Sequence, residues 1–258
     1  MMKPVDLKHK LAEKELTVGS WLSWGFSPVT EVMAKAGFEW LVIDLEHTAI
    51  DYGEALQMIQ TIELVGCVPL VRVGNNDPLI IKRVLDSGAC GIIVPMINSA
   101  KEAKRAVDAA YYPPRGNRGV GLSRAQGYGM DFHGYRKRAL ERTVVIVQIE
   151  HILGVENLEE ILSVDGVDGF IIGPYDLSGS LDQPGNFEHP DVLKALQRVK
   201  EVMYHSEKPG GYHVVQTSQD ELKKRIDEGY RFIAYGDDMV MFAQKVKDES
   251  EFLQGLKS

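Results

Sequence analysis

The most constraining feature of the sequence is a repeated alternation of short apolar runs with longer segments of helical period. Eight apolar or β-branched runs recur, and each is followed by a polar turn. They occupy residues 19–24, 40–44, 68–72, 91–95, 143–149, 169–172, 211–214 and 231–235. Adjacent parallel strands need a crossover connection, which the intervening helical segments supply. The alternation therefore predicts a parallel sheet covered by helices.

The number of repeats decides between the two common parallel architectures. Eight strand–helix units in 258 residues suit a closed barrel, which typically uses about 250 residues as one domain. The phosphate-loop pattern is absent, and no Gly-x-Gly-x-x-Gly leads from a strand into a helix, so an open dinucleotide-binding sheet is the poorer interpretation. The sequence predicts an α/β fold, a single (β/α)8 TIM barrel spanning residues 1–258. Helical patterns lie at 52–65, 78–87, 100–110, 155–162, 192–204, 219–228 and 239–256.

Two segments depart from the strand–helix rhythm. The first 17 residues place Leu7, Leu11 and Leu16 at spacings of four and five, which favours an amphipathic helix that caps one end of the barrel. Residues 96–142 form a long excursion whose stretch 111–121 is rich in Gly and Pro. Its glycines suggest a phosphate cradle as one alternative, but without a strand directly before them and a helix directly after, a shaped active-site loop is favoured.

Composition excludes several classes of protein. The chain has 29 Lys and Arg against 37 Asp and Glu, which gives a net charge of −8 and an acidic isoelectric point near 5.4. This balance, without any local basic run, argues against nucleic acid as a partner. No apolar stretch approaches the roughly 20 residues of a membrane span, and the first residues lack a signal-peptide core, so we expect a cytoplasmic protein with no membrane partner. Cys67 and Cys90 are too few for a disulfide framework and are expected to be buried thiols.

Polar residues stand where several predicted strands end. Because the active site of a (β/α)8 barrel lies at the carboxyl ends of its strands, we expect these side chains to share one mouth. Strand two ends in Asp44 followed by Glu46 and His47, strand three in Arg72, strand five in Gln148 and Glu150, strand six leads to Tyr175 and Asp176, and strand seven ends near His213.

Glu150 and Asp176 are the candidate metal ligands. They follow consecutive strands, which lie about 4.8 Å apart, and two carboxylates this close repel each other unless a cation lies between them. Mg²⁺ and Mn²⁺ prefer oxygen ligands and commonly use one or two carboxylates. The alternatives are a surface ion pair for Glu150 and a helix N-cap for Asp176. As a pair at matched strand ends, the two carboxylates favour metal binding.

Arg72, Asp44 and His47 are the candidate catalytic residues. Arg72 ends an apolar run and could grip a carboxylate or stabilise an oxyanion, with a rim salt bridge as the alternative. Asp44 could orient the imidazole of His47 and raise its basicity, which would make an acid/base dyad, although a histidine in a loop is often only solvated. Glu46 is expected to support Arg72 or to point elsewhere. None of the eight runs contains a lysine, so Schiff-base chemistry is disfavoured.

Motifs in register along nearly the whole chain carry a resemblance to a known family. They are Ala-Gly-Phe-Glu-Trp at 36–40 with Ile-Asp-Leu-Glu-His at 43–47, Val-Arg-Val at 71–73 with Asn-Asp-Pro at 76–78, Val-Pro-Met at 94–96, Tyr-Pro-Pro-Arg-Gly at 112–116 with Arg-Gly-Val-Gly at 118–121, Gln-Ile-Glu at 148–150 and Ile-Gly-Pro-Tyr-Asp-Leu-Ser at 172–178. In these the chain resembles the class II pyruvate aldolases of the HpcH/HpaI type, which include 4-hydroxy-2-oxoheptanedioate aldolase and 2-dehydro-3-deoxyglucarate aldolase.

The resemblance implies a site, a reaction and an assembly. The positions matching Glu150 and Asp176 bind a divalent cation (Mg²⁺ or Mn²⁺, with Co²⁺ as a third candidate) that chelates pyruvate, and Gln148 lies near it. The position matching Arg72 stabilises the enolate, and those matching Asp44 and His47 form the dyad. The family also implies a homo-oligomer, a hexamer built as a trimer of dimers, in which the helix at 239–256 is exchanged between subunits.

Several positions depart from the family pattern. Tyr175 replaces a small residue, Leu45 stands where glycine is common, residues 211–215 are bulkier and more polar than usual, and residues 182–184 alter the loop after Ser178. These changes crowd the pocket beside the pyruvate subsite, so Tyr175 and His213 are expected to contact substrate.

We therefore expect a metal-dependent aldolase, a carbon–carbon lyase that reversibly cleaves a 4-hydroxy-2-oxo acid to pyruvate and an aldehyde. One alternative is another lyase or synthase of the same superfamily, similar to citrate synthases or acyl-CoA lyases. A second alternative, from a different class, is a non-catalytic barrel that binds a metabolite.

Overall fold

A closed barrel of eight parallel strands forms the centre of the molecule. In the computed structural model, which describes residues 4–256, consecutive strands pair in chain order and the last strand pairs with the first. The strands are β1 Thr17–Leu22, β2 Trp40–Asp44, β3 Val68–Arg72, β4 Gly91–Val94, β5 Val144–Ile149, β6 Gly169–Ile172, β7 Gly210–Val214 and β8 Phe232–Asp237. The predicted (β/α)8 barrel is confirmed.

Helices follow the strands and cover the outside of the barrel. They are α1 Pro4–Ala12, α2 Ser27–Lys35, α3 Tyr52–Val65, α4 Pro78–Asp86, α5 Ala100–Ala110, α6 Phe132–Arg142, α7 Ile152–Glu156, α8 Leu158–Ser163, α9 Pro174–Gly179, α10 Pro190–His205, α11 Gln219–Asp227 and α12 Asp238–Gly255, with a 3-10 turn at Arg124–Gln126. The short α9 matters most for the site, because it follows β6 at the mouth of the barrel.

The first and last strands differ most from the sequence prediction. β1 begins two residues earlier than predicted, at Thr17, whose buried hydroxyl accepts a hydrogen bond from the indole of Trp40. β8 runs two residues further than predicted, through Gly236 and Asp237. Gly236 has φ +74° and β1 pairs with β8 through a register shift, so polar and glycine residues extend these strands where a sequence pattern would end them.

The interior of the barrel is filled by large side chains. The rings of Trp40 and Phe232 stack with centroids 4.1 Å apart, and both side chains are buried. Trp40 fits because Gly19 lies beside it on the adjacent strand β1, and a Cβ added to Gly19 would lie 2.1 Å from the indole. The barrel is therefore a packed core, and the chemistry is confined to its carboxyl-terminal mouth.

Helix α1 closes the opposite end of the barrel, as predicted. Leu7 and Leu11 are fully buried against the interior cluster. Lys8 Nζ donates to both carboxylate oxygens of Asp168, at 2.7 and 2.8 Å, to the carbonyl of Thr143 at 2.6 Å and to the hydroxyl of Tyr111 at 2.9 Å. One ammonium group thus fixes the helix to the entrances of β5 and β6.

The excursion between α5 and β5 also lies at this opposite end. Arg118 Nη2 donates to Asp86 at 2.6 Å, the hydroxyl of Ser123 donates to the Asp86 carbonyl at 2.8 Å, and Arg124 Nη1 donates to the Ser87 carbonyl at 3.1 Å. Asp86 and Ser87 end α4, just before β4 enters the barrel. The expectation of a loop at the chain's own active site is wrong, because a segment that links a helix to the next strand must lie at the amino-terminal ends of the strands.

Helix α12 leaves much of its apolar surface exposed. Asp237 caps it, accepting from the backbone N–H groups of Met239 and Val240. Phe242 contacts Trp24 at a centroid distance of 5.3 Å, yet it stays more than half exposed, as do Val246, Phe252 and Leu253. Exchange of this helix between subunits stays a prediction.

Cys67 and Cys90 are buried free thiols, as predicted. Burial raises the pKa of each to about 12, so neither forms a thiolate near neutral pH. Within residues 4–256, none of the helices combines the length and apolarity that crossing a bilayer requires.

Replacing Lys8 by Met should lower the free energy of unfolding by about 3 kcal/mol, because Asp168 then stays largely buried without its cation. The melting temperature should fall by roughly 6–12 °C in a chain of this size. Lys35→Met is the matched control, since its pair with Glu31 is exposed and should contribute little. Equal effects of the two substitutions in thermal unfolding would contradict the assigned role of Lys8.

Candidate active site

An ion pair between Asp44 and Arg72 forms the floor of the mouth. The two residues end β2 and β3 and stand opposite each other in the strand register. Arg72 Nε donates to Asp44 Oδ1 at 2.9 Å and Nη2 donates to Oδ2 at 2.6 Å, and both side chains are buried. This bidentate geometry fixes the guanidinium plane, so Arg72 is a rigid cation beside the cavity.

The structure does not bring Asp44 to the imidazole of His47. Asp44 Oδ1 also accepts from the backbone N–H groups of Glu46 at 3.0 Å and His47 at 3.4 Å, which shapes the turn after β2. The ring of His47 instead lies with Nε2 3.7 Å from Glu46 Oε2, and its side chain is 60% exposed. The predicted orientation of His47 by Asp44 is therefore replaced by two contacts, Asp44 with Arg72 and Glu46 with His47.

Glu46 connects the two groups. Its Oε2 lies 3.3 Å from Arg72 Nη1, in agreement with the expected support of Arg72. Burial raises the pKa of Glu46 to about 6; the charge of Arg72 opposes this shift, and those of Asp44 and Asp176 add to it. The carboxyl group of Glu46 consequently changes its charge near the lower edge of the physiological pH range.

Glu150 follows β5 and is held rigidly. Its Oε1 accepts from the backbone N–H of Met96 at 2.7 Å, and Oε2 accepts from the side-chain amide of Gln148. Met96 adopts a left-handed backbone with φ +53°, which is uncommon outside glycine. Burial raises the pKa of Glu150 to about 7, partly opposed by the Met96 N–H and reinforced by the charges of Glu46 and Asp176.

Asp176 lies in the first turn of α9 and is exposed at the mouth. Its charge contributes to the raised pKa values of both Glu150 and Glu46, so the three carboxylates share one electrostatic environment. Gly173, just before α9, leaves room for the Glu150 carboxylate, because an added Cβ would lie 2.8 Å from Glu150 Oε2. The two predicted metal ligands are therefore within electrostatic reach of each other, and their shared role in metal binding stays a prediction.

These residues fit a hard divalent cation. The side-chain nitrogen of Gln148 donates to the Glu150 carboxylate, and its side-chain oxygen is buried and has no hydrogen-bond partner within residues 4–256. In the same part of the chain no cluster of three or more His, Cys, Asp or Glu side chains is arranged to hold a metal. The candidate metal ligands are the carboxylates of Glu150 and Asp176 and the amide oxygen of Gln148. This set of oxygen ligands suits an ion such as Mg²⁺, which keeps several waters or substrate oxygens.

A cavity of about 130 Å³ lies beside these groups. Its lining includes Arg72, Gln148 and Asp176 as well as Trp21, Tyr175 and His213. The His213 ring stacks on Trp21 with centroids 4.7 Å apart, and the guanidinium of Arg72 lies 5.2 Å from the Trp21 ring. The cavity is therefore lined by both charged and aromatic side chains, and Trp21 contacts Arg72 as well as His213.

Sequence reasoning missed Trp21 and Met96. Trp21 belongs to a predicted strand and is apolar, so the sequence pattern indicates only a core residue. Its position near the carboxyl end of β1 is the signal that could have identified it as a site residue. Met96 contributes its backbone N–H, which donates to Glu150, and a pattern of side chains does not reveal such a contact.

Replacing Glu150 by Gln should stabilise the protein at alkaline pH. Because the pKa of Glu150 is raised from 4.5 to about 7, the folded state holds a proton that the unfolded state has lost, and stability falls as pH rises between these values. Removal of this carboxylate should increase the free energy of unfolding by about 2 kcal/mol at pH 8 and by little at pH 4.5. Urea unfolding at both pH values measures this, with the exposed Glu156→Gln as control; a pH-independent difference would contradict the shift.

Comparison with known proteins places the chain in a family. The family model for HpcH/HpaI aldolase/citrate lyase matches residues 18–244. The 5-keto-4-deoxy-D-glucarate aldolase of Escherichia coli is 35% identical over 249 residues, which cover 95% of this chain and 96% of the relative.

Solved structures agree with this placement. An HpcH/HpaI aldolase/citrate lyase family protein from Burkholderia cenocepacia superimposes with a TM-score of 0.91 at 32% identity, covering 98% of this chain and 99% of that protein. The citrate synthase SbnG superimposes with a TM-score of 0.86 at 27% identity, covering 97% and 98%. From the barrel, its mouth and these relatives together, the chain belongs to the HpcH/HpaI aldolase/citrate lyase family and is a carbon–carbon lyase.

Proposed function

We propose that the protein is a class II aldolase that reversibly cleaves a 4-hydroxy-2-oxo acid to pyruvate and an aldehyde. The observation that carries the proposal is the rigid Arg72 guanidinium, which is held by Asp44 and lies within electrostatic reach of the buried carboxylate of Glu150 at one barrel mouth. Cleavage breaks the bond between C3 and C4, releases the aldehyde and leaves the electron pair as the enolate of pyruvate. A fixed cation at the enolate oxygen is the group that such a reaction needs.

Glu150 and Asp176 are the residues that would hold the divalent metal, with Gln148 beside them. A bound Mg²⁺, Mn²⁺ or Co²⁺ would act as a Lewis acid toward the carboxylate and keto oxygens of the 2-oxo acid. The raised pKa of Glu150 supports this proposal, because the carboxylate is buried and the charges of Glu46 and Asp176 disfavour its ionised form further, and a bound cation would offset both effects.

The chain's own groups divide the remaining work. Arg72 stabilises the enolate oxygen, and Asp44 acts through Arg72 by fixing the guanidinium plane. His47 moves the proton of the C4 hydroxyl, with Glu46 rather than Asp44 as the carboxylate that faces its ring. The aldehyde part of the substrate extends toward Tyr175 and His213, which line the same cavity as Arg72.

The proposal includes a cytoplasmic homo-oligomer, a hexamer built as a trimer of dimers. The exposed apolar side chains of α12 support an assembly, and the buried free thiols Cys67 and Cys90 suit a reducing compartment.

Metal removal should abolish pyruvate release from a 4-hydroxy-2-oxo acid, and Mg²⁺ or Mn²⁺ should restore it. Glu150→Gln should weaken Mn²⁺ binding, measured by electron paramagnetic resonance, and lower kcat/KM by about 100-fold or more. Because protons compete with the metal at Glu150, Mn²⁺ affinity should decline as pH falls through about 7. Full activity of metal-free Glu150→Gln would contradict the proposal.

Arg72→Ala should lower kcat by about 100- to 1,000-fold with a smaller change in KM, because the lost charge acts on the enolate more than on the bound substrate. Arg72→Lys is the matched variant: it keeps the charge but loses the bidentate contact with Asp44, so its kcat should be intermediate. Steady-state kinetics of folded variants decide the point, and wild-type kcat in Arg72→Ala would contradict the role.

The second candidate is a synthase that joins an enolate to a keto acid or thioester. The similarity to a citrate synthase and the polar His213 at the cavity favour it. Condensation assays with oxaloacetate or an acyl-CoA, beside the aldehyde assay, separate the two reactions.

A further inference from the structure

A cavity of about 290 Å³ lies at the amino-terminal rim of the barrel, at the end opposite the catalytic mouth. Cys90 and Thr143, which directly precede β4 and β5, are among the residues that line it. The other lining residues belong to the end of α3, the turn after α4, the 3-10 turn, the loop after it and α6, and none of them lines the cavity at the mouth. Small-molecule sites begin at about 300 Å³, so this cavity is close to the size that a small ligand needs.

The charges that line this cavity do not balance. Three arginines line it, Arg124, Arg138 and Arg142, against one carboxylate, Glu63. Glu63 pairs with Arg124, and Asp131 pairs with Arg138. Arg142 is half-buried, and within residues 4–256 its guanidinium has neither an ion pair nor a hydrogen bond. In a protein whose net charge is −8, the cavity therefore carries one positive charge without a partner.

The guanidinium of Arg124 is fixed in the wall of the cavity. Its Nη1 donates to the carbonyl of Ser87 at 3.1 Å, and its Nη2 donates to the Glu63 carboxylate. Gly88 leaves the space that this group occupies, because an added Cβ would lie 2.1 Å from Arg124 Nη1. The carboxylate of Glu63 is thus held by Arg124 and does not compensate Arg142.

The charge of Arg142 acts on the interior of the cavity. Burial raises the pKa of the Cys90 thiol to about 12, and the charge of Arg142 is the largest effect that opposes this rise, ahead of that of Arg124. Cys90 is itself buried and lines the cavity. The guanidinium of Arg142 is therefore within electrostatic reach of an anion bound there.

The rest of the lining includes small and aromatic side chains. They are Gly88, Ala89, Ala125, Ala139, Tyr128 and Tyr135. Tyr135 is held in place, because its ring contacts Tyr112 edge-on at a centroid distance of 6.3 Å and its hydroxyl accepts from Arg118 Nη1 at 3.3 Å. The small side chains leave space for a flat apolar group. One unpaired positive charge matches a carboxylate, whereas a phosphate monoester carries about −1.5 to −2 charges at pH 7.

We propose that this cavity is a binding site for a small aromatic carboxylate. The carboxylate lies on the guanidinium of Arg142, whose planar fork fits two carboxylate oxygens, and the aromatic ring lies beside Tyr135 and Ala125. An uncharged ligand of the same shape leaves Arg142 unpaired and binds more weakly. The site is separate from the catalytic mouth and does not depend on the proposed aldolase function.

The test compares benzoate with benzamide, which have the same shape but differ in charge, by calorimetric titration of the protein with Mn²⁺ present and at constant ionic strength. The wild type should bind benzoate more tightly by about 10-fold or more. Arg142→Gln should remove this difference by weakening benzoate alone, and Arg142→Lys should retain part of it. Lys137→Gln is the matched control, because it removes one exposed positive charge from the same helix and should change the benzoate affinity by less than about 2-fold.

The catalytic mouth also contains a cation, so the position of the bound benzoate has to be measured. Arg72→Ala should leave the benzoate affinity unchanged. Loss of binding in Arg72→Ala while Arg142→Gln binds normally would place benzoate at the mouth and overturn the inference. Equal affinities for benzoate and benzamide in the wild type would overturn it as well. Displacement of benzoate by an equal concentration of inorganic phosphate would also contradict it, because the aromatic ring would then contribute nothing.

A second variant covers the case in which Arg142→Gln does not fold. Ala125 is half-buried at the cavity, and Ala125→Phe places a ring in the proposed ligand site while all three arginines remain. It should weaken benzoate binding by about 10-fold or more, because the ligand and the new side chain compete for one space. Benzoate affinity equal to that of the wild type in a folded Ala125→Phe protein would overturn the inference.

Discussion

Closure of the barrel is the constraint on which the site depends. Pairing of β8 with β1 brings all eight strand ends onto one rim, and the register of β2 with β3 sets Asp44 opposite Arg72. The ion pair at the centre of the mouth is therefore a consequence of strand pairing. The same geometry assigns every helix-to-strand connection to the other rim, which α1 closes.

The mouth concentrates negative charge, and the carboxylates of Asp44 and Glu150 are buried there. Asp44, Glu46, Glu150 and Asp176 stand near a single cation, Arg72, whose guanidinium is engaged by Asp44 and Glu46. Burial is the main cause of the raised pKa values of Glu46 and Glu150, and the neighbouring carboxylates add to it. In the proposed function a divalent cation would balance this charge, and an anionic 2-oxo acid would then be bound locally although the overall field of the acidic protein repels it.

The sequence predicts the fold well because each strand and helix of the barrel has its own local pattern of apolar and polar residues. Three of the eight strands keep their predicted bounds, and the strand-end residues Arg72, Gln148 and His213 line one cavity. The pairing of Asp44 with His47 was wrong because residues near each other in sequence need not face each other, and cross-strand register decided the partner of Asp44. The backbone N–H of Met96 contacts Glu150, and the ring of His213 contacts the carbonyl of Gly236. Both contacts join residues far apart in the sequence, which a linear pattern does not encode.

The contact between Lys8 and Asp168 links residues 160 positions apart. During synthesis the amino-terminal helix is made long before Asp168, Thr143 and Tyr111 exist, so its ammonium group has to remain in water until the second half of the barrel has emerged. Completion of β5 and β6 then gives the helix its anchor. Helix α1 is thus synthesised before the strands that anchor it, and this anchoring contact forms only once the amino-terminal rim has been built.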